Sequence, residues 1–443
     1  MESAETAPAG AAEKPWPIWQ RILFRFFFVY LTLQIAPWEW FFAIPGVGFV
    51  LNYYQVLVNW AVQTSNSRLF HFWPKLILPN GSGDTSWAWT QMWLYLILAA
   101  VACVVWSILD RKRRGYGRLS YWLRLSVRYY IAIAALSYGI IKLYALQMPF
   151  PTTSQLATPL GDLLPMRFSW FFIGYSLPYQ IFSGVMETTA GLLLLYRRTI
   201  TAGLFAATGA FANVVMINLS YDVPVKLFSS HLLFSCLFLL ALDSRRLVNL
   251  LVLNRATPPT PAYDAPFVIP WQVWGSRAVK LFFVYEFLVL PVQRGYTNYQ
   301  AVHATPKAGP FTPGVYEVRS YVVNRTAVPA AYTDTLRWKD LIFDSNTAAS
   351  IGTNDQFFQQ RYRRGYFRYR ADTLARTAVL WKTSTIPRDS TPLGTMRYEV
   401  PDTNTVRLHM VIRGDSVHVE LIRVPRHFQL AERQFHWLSE YNR

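Results

Sequence analysis

The chain has 443 residues, a formal net charge of +18, and a composition that is 52% hydrophobic and only 15% charged. Soluble domains carry about 25% charged residues, so this composition argues against an ordinary soluble protein. The two cysteines, Cys103 and Cys236, stand alone in apolar runs, so neither a C-x-x-C redox motif nor a secreted disulfide framework is supported.

Several apolar runs are long enough to cross a bilayer, since a helix needs about 20 residues to do so. After a polar start at residues 1–14, which is predicted to be disordered, the pattern indicates about seven spans. They are predicted at residues 16–36, 87–109, 119–146, 179–196, 200–219, 227–242 and 271–290. Residues 45–62, which are amphipathic, and residues 166–177, which are short and aromatic, are predicted to lie in the membrane interface.

Basic clusters follow the second, fourth and sixth predicted spans, at residues 111–118, 197–198 and 245–246. Positively charged loops stay in the cytoplasm, so the three clusters mark one side of the bundle as the inside. The N-terminus is then cytoplasmic, and the chain after the seventh span emerges on the opposite side. The charge pattern therefore predicts a multi-pass protein with an extracytoplasmic C-terminal region.

That C-terminal region, residues 314–443, has the two-residue alternation of β-strands. Apolar and polar residues alternate over residues 405–413 and again over 416–421, and Gly414-Asp415 between them predicts a hairpin turn. Further strands are predicted at residues 315–323, 336–343, 366–371, 373–382 and 395–400. We expect an antiparallel β domain, either a sandwich or a small barrel, that folds independently and packs a helix over residues 428–438 against itself.

Six polar side chains, in four predicted spans or in the turn between the fifth and sixth, fall in one layer between the middle of the membrane and its outer surface, at a rise of about 1.5 Å per residue. They are Lys142, Glu187, Asn218, Asp222, Lys226 and His231. Ionisable groups inside a membrane are costly and mark functional sites, so the six are candidates for one ligand pocket that opens outward. Structural alternatives stay open: an ion pair of Glu187 with Arg128 or with Lys142, a solvated loop at Asp222 and Lys226, and a hydrogen bond from His231 to a neighbouring helix.

Short motifs in this part of the chain resemble the four-helix DoxX family of membrane proteins. They are Gly139-Ile140-Ile141-Lys142, Glu187 and Gly191-Leu192-Leu193-Leu194-Leu195, within roughly residues 128–249. With residues 80–84, 222–231 and 435–440, the whole chain resembles an extended, Bacteroidetes-type DoxX-like protein. The resemblance implies a bacterial inner-membrane location with a periplasmic C-terminal domain, and a link to a quinone or to a membrane or periplasmic redox partner.

The sequence therefore predicts a membrane subunit that binds a hydrophobic small molecule, a quinone or a lipid, and docks a redox or envelope partner. The predicted organisation is a disordered N-terminus (1–14), an N-terminal membrane region (15–118), a DoxX-like four-helix core (119–255), a linker with the last span (256–313) and a periplasmic β domain (314–443). No flavin, haem, iron–sulfur, nicotinamide or metal motif is visible and no nucleic-acid partner is predicted, so catalysis stays undecided. A redox enzyme with its own cofactor, a structural scaffold and, by architecture alone, a carboxylase-like membrane enzyme are the alternatives.

Overall fold

The computed structural model describes residues 15–258, 269–304, 309–331, 335–360, 362–383, 392–433, 435–438 and 440. The predicted disorder of residues 1–14 and most of the predicted linker, residues 259–268, lie outside this described part of the chain. The chain packs into two compact units. A helical unit holds the residues up to Leu146 together with Pro178–Thr297, and a second unit holds Gln147–Leu177 and the residues from Asn298 onward.

Most of the helices belong to the helical unit, while α5, α6 and α13 belong to the second unit. In chain order they are α1 (Ile18–Ile35), α2 (Val47–Ser65), α3 (Ser86–Leu109), α4 (Gly117–Leu143), α5 (Thr153–Leu156), α6 (Pro165–Tyr175), α7 (Leu177–Leu195), α8 (Ile200–Ser220), α9 (Lys226–Ala241), α10 (Ser244–Leu251), α11 (Pro270–Val284), α12 (Leu290–His303) and α13 (Gln429–Glu432). Short 3-10 or π segments lie at Pro37–Phe41, Asn66–Phe70, Leu160–Asp162, Arg197–Thr199 and Tyr285–Val289.

A helix overlaps each predicted span, but length and composition single out fewer of them. Within the described residues, three stretches are long and apolar enough to cross a membrane, Ile18–Phe41, Ser86–Leu109 and Arg197–Ser220. Helices α9 and α10, bent by 76° at their junction, make a fourth if the pair acts as one span. Helix α4 is longer than any of these, but its basic residues lower its hydropathy. A few apolar helices thus support membrane insertion, while the count of seven stays a prediction.

The core of the helical unit contains many small side chains. Ile131, Ala132 and Ala135 of α4 are almost completely buried, and they pack in one cluster with Leu204 of α8 and Leu239 of α9. Small residues let helix backbones approach closely, which is the usual packing mode of helices in membranes. The sequence of α4 therefore combines a small-residue packing face with the charged residues that concern the site.

Helices α4 and α7 touch each other at two glycines. A Cβ atom at Gly184 would lie 2.8 Å from the backbone nitrogen of Leu143 and 2.9 Å from the carbonyl oxygen of Gly139. Such distances leave no room for a side chain, so the two backbones meet directly. The crossing brings Lys142 of α4 and Glu187 of α7 face to face.

The second unit is organised around an antiparallel sheet that closes on itself. Its strands are β1 (Gly314–Val323), β2 (Thr326–Ala327), β3 (Asp340–Ser345), β4 (Ala348–Gly352), β5 (Arg364–Asp372), β6 (Thr377–Lys382), β7 (Pro392–Glu399), β8 (Thr405–Ile412) and β9 (Asp415–Val424). From β3 to β9 each strand pairs with the next, β1 pairs with both β3 and β9, and β2 adds a short extension to β1. The described strands therefore form a closed eight-stranded up-and-down barrel, which decides between the predicted sandwich and barrel.

The interior of this barrel is a packed core. Phe311, from the segment before β1, stacks on Phe343 with ring centroids 4.4 Å apart and packs edge-on against Tyr369 and Tyr398 at 5.4 and 4.9 Å. Barrels of eight strands have an interior just wide enough for side chains to fill or for one small ligand. A remaining cavity of about 70 Å³ is smaller than a typical ligand site. The side chains therefore fill the barrel.

The β8–β9 hairpin forms where the alternation predicts it, but its turn lies one residue earlier. Arg413 and Gly414 both have positive φ, 54° and 93°, as the central residues of a type I′ turn require. Asp415 already pairs with Ile412 as the first residue of β9. The predicted turn at Gly414-Asp415 is therefore wrong by one position, because the glycine is the second turn residue and not the first.

The predicted helix over residues 428–438 is wrong beyond its first turn. Helix α13 ends at Glu432, and the described residues after it are not helical. Phe435 and Trp437 are highly exposed, with 76% and 95% of their surface accessible. The two rings pack on each other, with centroids 5.0 Å apart, and stay exposed to solvent. Helical spacing alone does not hold a short helix together.

The outer wall of the barrel carries a buried polar network. The backbone nitrogen and Oγ of Ser154 donate to the two carboxylate oxygens of Asp344 at 2.8 and 2.6 Å, and Ser154 Oγ lies 2.6 Å from Ser350 Oγ. Arg364 donates to Ser350 Oγ at 2.9 Å and to both oxygens of Asp340 at 2.6 and 3.2 Å. Ser154 lies in the segment that joins α4 to α7, so this segment and the barrel form one structure.

This packing corrects the predicted organisation of the chain. The prediction assigns residues 147–177 to a membrane core and treats residues 314–443 as a self-sufficient domain, whereas Gln147–Leu177 packs with the barrel. Ile342 of β3, which is fully buried, packs against Ala157 on this outer face. The alternation of β3 alone could not show that both of its faces are covered.

Candidate functional site

The buried ion pair between α4 and α7 is the most unusual polar feature of the helical unit. Lys142 Nζ lies 2.5 Å from Glu187 Oε1, and both side chains are less than 10% exposed. The other carboxylate oxygen, Glu187 Oε2, and the neighbouring Thr188 Oγ1 are buried and have no hydrogen-bond partner in the described chain. Buried polar atoms are nearly always hydrogen-bonded, so two unpaired acceptors beside a buried cation mark a candidate binding site.

Of the two cations predicted to compensate Glu187, Lys142 is its partner, and the alternative pairing with Arg128 is wrong. Arg128 and Lys142 lie on the same helix, and the residues between them separate their Cα atoms by about 21 Å. A carboxylate bound to Lys142 is therefore out of reach of Arg128. The Arg128 guanidinium is buried and lies over the Tyr129 ring, 4.9 Å from its centroid. The depth estimate from sequence matched Glu187 to the wrong turn of α4.

Asp222 and Lys226 belong to a well-ordered turn between α8 and α9. Lys226 Nζ donates to Asp222 Oδ1 at 2.7 Å, and the Asp222 side chain is 82% exposed. Asp84, from the loop before α3, accepts the backbone N–H groups of Lys226 and Leu227 at 2.8 and 2.9 Å. A carboxylate at a helix N-terminus satisfies otherwise unpaired donors and complements the helix dipole, so Asp84 caps α9 from a distant part of the chain.

The same loop fixes the turn by a backbone contact as well. Gly83 donates its backbone N–H to the carbonyl oxygen of Pro224 at 2.8 Å. A Cβ at Gly83 would touch Val225 at 3.4 Å, so the loop packs closely against the turn. The glycine-rich loop and the polar turn, which the sequence presents as separate features, therefore form one structural element.

Asn218 and His231 each form a hydrogen bond to a neighbouring helix. Asn218 Nδ2 donates to Ser229 Oγ at 3.0 Å, joining α8 to α9. His231 Nδ1 lies 2.8 Å from the carbonyl oxygen of Leu227, an obligatory acceptor, so this nitrogen carries the proton. The other nitrogen then accepts from Tyr30 Oη at 2.6 Å, which joins α9 to α1. Both ring nitrogens of His231 are occupied.

The contacts of the six predicted residues thus divide into three sets instead of lining one pocket. Lys142 and Glu187 pair with each other, Asp222 and Lys226 organise a turn, and Asn218 and His231 bond to separate neighbours. The first set alone leaves buried polar atoms unpaired. The structure therefore directs attention to the α4–α7 crossing and away from the polar turn.

Two tyrosines of α4 pack against α9. The rings of Tyr138 and Tyr130 lie 6.0 and 6.3 Å from the ring of Phe228, between centroids. These contacts join the helix of Lys142 to the helix of His231.

Sequence reasoning missed Asp84 and Tyr30, the partners of Lys226 and His231, and also Arg25. Arg25 is buried and donates to Tyr116 Oη at 2.9 Å and to Ser107 Oγ at 2.8 Å. An arginine inside a predicted span is the one signal that could have found this network. Its donors are satisfied, so the network stabilises the packing of α1 against α3.

Within the described residues, no group of three or more His, Cys, Asp and Glu side chains is arranged to hold a metal ion. A cavity of about 530 Å³ opens on the second unit, lined in part by β1, by residues 337–340 and by the end of β9. Arg337 in its wall donates to the carbonyl oxygens of Val328 and Val318 at 2.7 and 2.8 Å. Because this guanidinium is engaged by backbone, it serves the fold of the barrel.

The fold and the site define a helical membrane-associated protein with a C-terminal antiparallel barrel. No protein-family model matches the chain, and no solved structure matches it. The uncharacterised protein YwoB of Bacillus subtilis (strain 168) is 31% identical over 138 residues, which cover 30% of this chain and 88% of YwoB. The chain belongs to the same family as YwoB. That relative's name states no activity.

Proposed function

We propose that this chain is an integral membrane protein that binds a hydrophobic molecule with a small polar head at the Lys142–Glu187 pair. The observation that carries the proposal is the buried carboxylate, with one oxygen on Lys142 and the other unpaired. In an apolar medium an unpaired carboxylate oxygen is costly, and a ligand hydroxyl would remove that cost. The site offers an ammonium as donor and two oxygens as acceptors.

A quinone–quinol head group fits this donor and acceptor set. A quinol hydroxyl can donate to Glu187 Oε2, and a quinone carbonyl can accept from Lys142 Nζ or from the Thr188 hydroxyl. The apolar ring and tail of such a molecule suit the apolar helices around the pair. A lipid hydroxyl or ester offers similar chemistry, and the experiment below distinguishes the two. The likeness to DoxX proteins supports the quinone as the first choice.

For the topology we propose seven spans, a cytoplasmic N-terminus and a periplasmic barrel in the bacterial inner membrane. The three basic clusters support this orientation. A second support comes from the packing of Gln147–Leu177 with the barrel, since segments that pack together lie on one side of a membrane. The first segment follows α4 and the barrel follows α12, so both helices have to end on that side. The barrel then faces the periplasm, where it docks a redox or envelope partner.

A structural scaffold without a ligand is the second candidate function. It is favoured by the polar turn, where Asp222 pairs with Lys226, Asn218 with Ser229 and His231 with Tyr30. These contacts hold helices together and need no ligand. The two functions differ only in what the ion pair does, so the test is directed at that pair.

The test measures what the purified full-length chain retains in lipid nanodiscs, by mass spectrometry of extracted quinones and lipids. The double variant Lys142→Met/Glu187→Leu removes both charges together, because replacing a whole buried pair with apolar residues is often neutral for stability. Arg128→Met, a buried cation on the same helix, is the matched control. We expect the double variant to lose a quinone that the parent and the control retain.

Three outcomes separate the proposals. Loss of bound quinone with an unchanged unfolding temperature supports the quinone site. Loss of one lipid class, with no quinone in the parent, assigns the site to that lipid. Identical extracts from all three proteins overturn ligand binding at the pair and leave the scaffold.

A further inference from the structure

Two histidines face each other on the outer wall of the barrel, in the β8–β9 hairpin. His409 of β8 and His418 of β9 are directly opposite in the strand register. Their rings lie 4.5 Å apart between centroids at an interplanar angle of 76°, and the two Nδ1 atoms are within hydrogen-bonding distance of each other. Cross-strand neighbours on an antiparallel pair are fixed by the ladder, so the two imidazoles are held together by backbone.

Ser416 gives this pair the outer contact that metal-binding histidines usually have. His418 Nε2 lies 3.2 Å from Ser416 Oγ. When Nε2–H donates to this hydroxyl, the lone pair of His418 Nδ1 points at His409. In the ion-free pair, His409 Nδ1–H donates to that lone pair. Ligating histidines commonly donate their second N–H in this way, which fixes ring orientation and tautomer.

The charges around the pair balance each other. Arg397 is the cross-strand neighbour of His409 on β7, and Glu399 lies two residues further along the same strand. On the other side, Arg407 pairs with Glu420 at 3.3 Å. The flanking charges are two positive and two negative, so they add no net repulsion to a cation bound between the two rings.

We propose that His409 and His418 form a two-imidazole site for a borderline divalent transition metal, such as Zn²⁺ or Cu²⁺, on the outer wall of the barrel. Imidazole nitrogen suits these ions, whereas Mg²⁺ and Ca²⁺ prefer oxygen. Each Nδ1 would bind the ion at about 2.0–2.1 Å, and water would complete the coordination. This inference is independent of the proposed membrane site and goes beyond it.

Binding requires both Nδ1 lone pairs, so the proton on His409 Nδ1 moves to its Nε2 through solvent. When each ring carries one proton, the pair takes up the ion without net release of a proton.

The test is a calorimetric titration of the tag-free, full-length chain in nanodiscs with ZnCl₂ and, separately, with CuCl₂. The variants are His409→Gln and His418→Gln, and His427→Gln is the control because His427 contacts Glu432 elsewhere on the surface. We expect one saturable site in the parent and in the control, and its loss in each of the two variants. Ser416→Ala should weaken binding by about 10–100-fold, the usual cost of a lost outer contact.

Two results would overturn the site. One is the absence of saturable binding in the parent up to millimolar metal. The other is equal binding by the parent and the His409→Gln/His418→Gln double variant, which would move any bound metal to another part of the chain. The circular dichroism of each variant checks that the barrel is intact before its titration is interpreted.

Discussion

Replacing Gly184 with alanine should separate helices α4 and α7. The added Cβ would lie 2.8 Å from the Leu143 nitrogen, so one backbone has to retreat by about 0.6 Å to reach an ordinary contact of 3.4 Å. Overpacking of this kind costs about 1–3 kcal/mol. Alanine also favours a helix over glycine by about 1 kcal/mol, which partly hides this cost.

Gly209→Ala on α8 provides the matched control, because no atom lies within 4 Å of its added Cβ. The helix-propensity gain is common to both variants, so their difference isolates the steric term of about 1–3 kcal/mol. The assay is reversible unfolding of the full-length chain in mixed detergent micelles, followed by far-ultraviolet circular dichroism. Equal stabilities for the Gly184 and Gly209 variants would refute the direct backbone contact at the crossing.

Three further predictions concern hydrogen bonds. Tyr30→Phe leaves an acceptor of His231 unpaired and should lower the free energy of unfolding by about 1–3 kcal/mol in the same assay. Ser154→Ala removes a hydrogen bond to the half-buried carboxylate of Asp344, so hydrogen exchange in strands β3 and β4 should accelerate by about 10–100-fold. Ser169→Ala, whose hydroxyl bonds within its own helix, should not change it. Hydrogen bonds from backbone N–H groups, of Asn404 first, lower the pKa of the Asp402 carboxyl. The ionised carboxylate therefore stabilises the fold above its unfolded pKa of about 3.9. This stabilisation is lost as the pH falls through the lower pKa of the folded state. The stability difference between the parent and Asp402→Asn should therefore shrink between neutral pH and about pH 3.

Each of these outcomes has a contrary result. An unchanged unfolding free energy for Tyr30→Phe would mean that water replaces the tyrosine hydroxyl. Equal hydrogen-exchange rates in the Ser154→Ala and Ser169→Ala variants would show that residues 147–177 do not stabilise the barrel. A stability difference for Asp402→Asn that stays constant with pH would assign its effect to something other than the carboxylate charge.

Periodicity predicted the elements of this protein better than their partners. The alternation of apolar and polar residues located the β8–β9 hairpin, because one face of each strand is buried and the other is exposed to solvent. It missed β4, Ala348–Gly352, which is short and built of small residues that carry little pattern. The outer face of β3 is covered by a segment almost two hundred residues earlier in the chain. The local sequence of β3 gives no sign of this contact.

For the candidate site too, the sequence indicated the residues better than their partners. The rise of an α-helix correctly suggested that Lys142 and Glu187 could share a layer, but it also allowed Arg128, since rotation and tilt of α4 and α7 were unknown. The glycines at the crossing decide that geometry, and their contacts exist only in three dimensions. Asp84 caps a helix 142 residues further along the chain, a distance at which single-sequence reasoning has no signal.

The serine-centred network on the barrel wall also sets an order of events during biosynthesis. About 140 residues separate the end of the α4–α7 segment from β1, and ribosomes add roughly 5–20 residues per second. The segment therefore waits for roughly 7–30 s before the first strand of its binding partner has been made. During that interval its apolar side chains are open to other proteins, so a chaperone, or a slow ribosome, would change the yield of folded protein without altering its final stability.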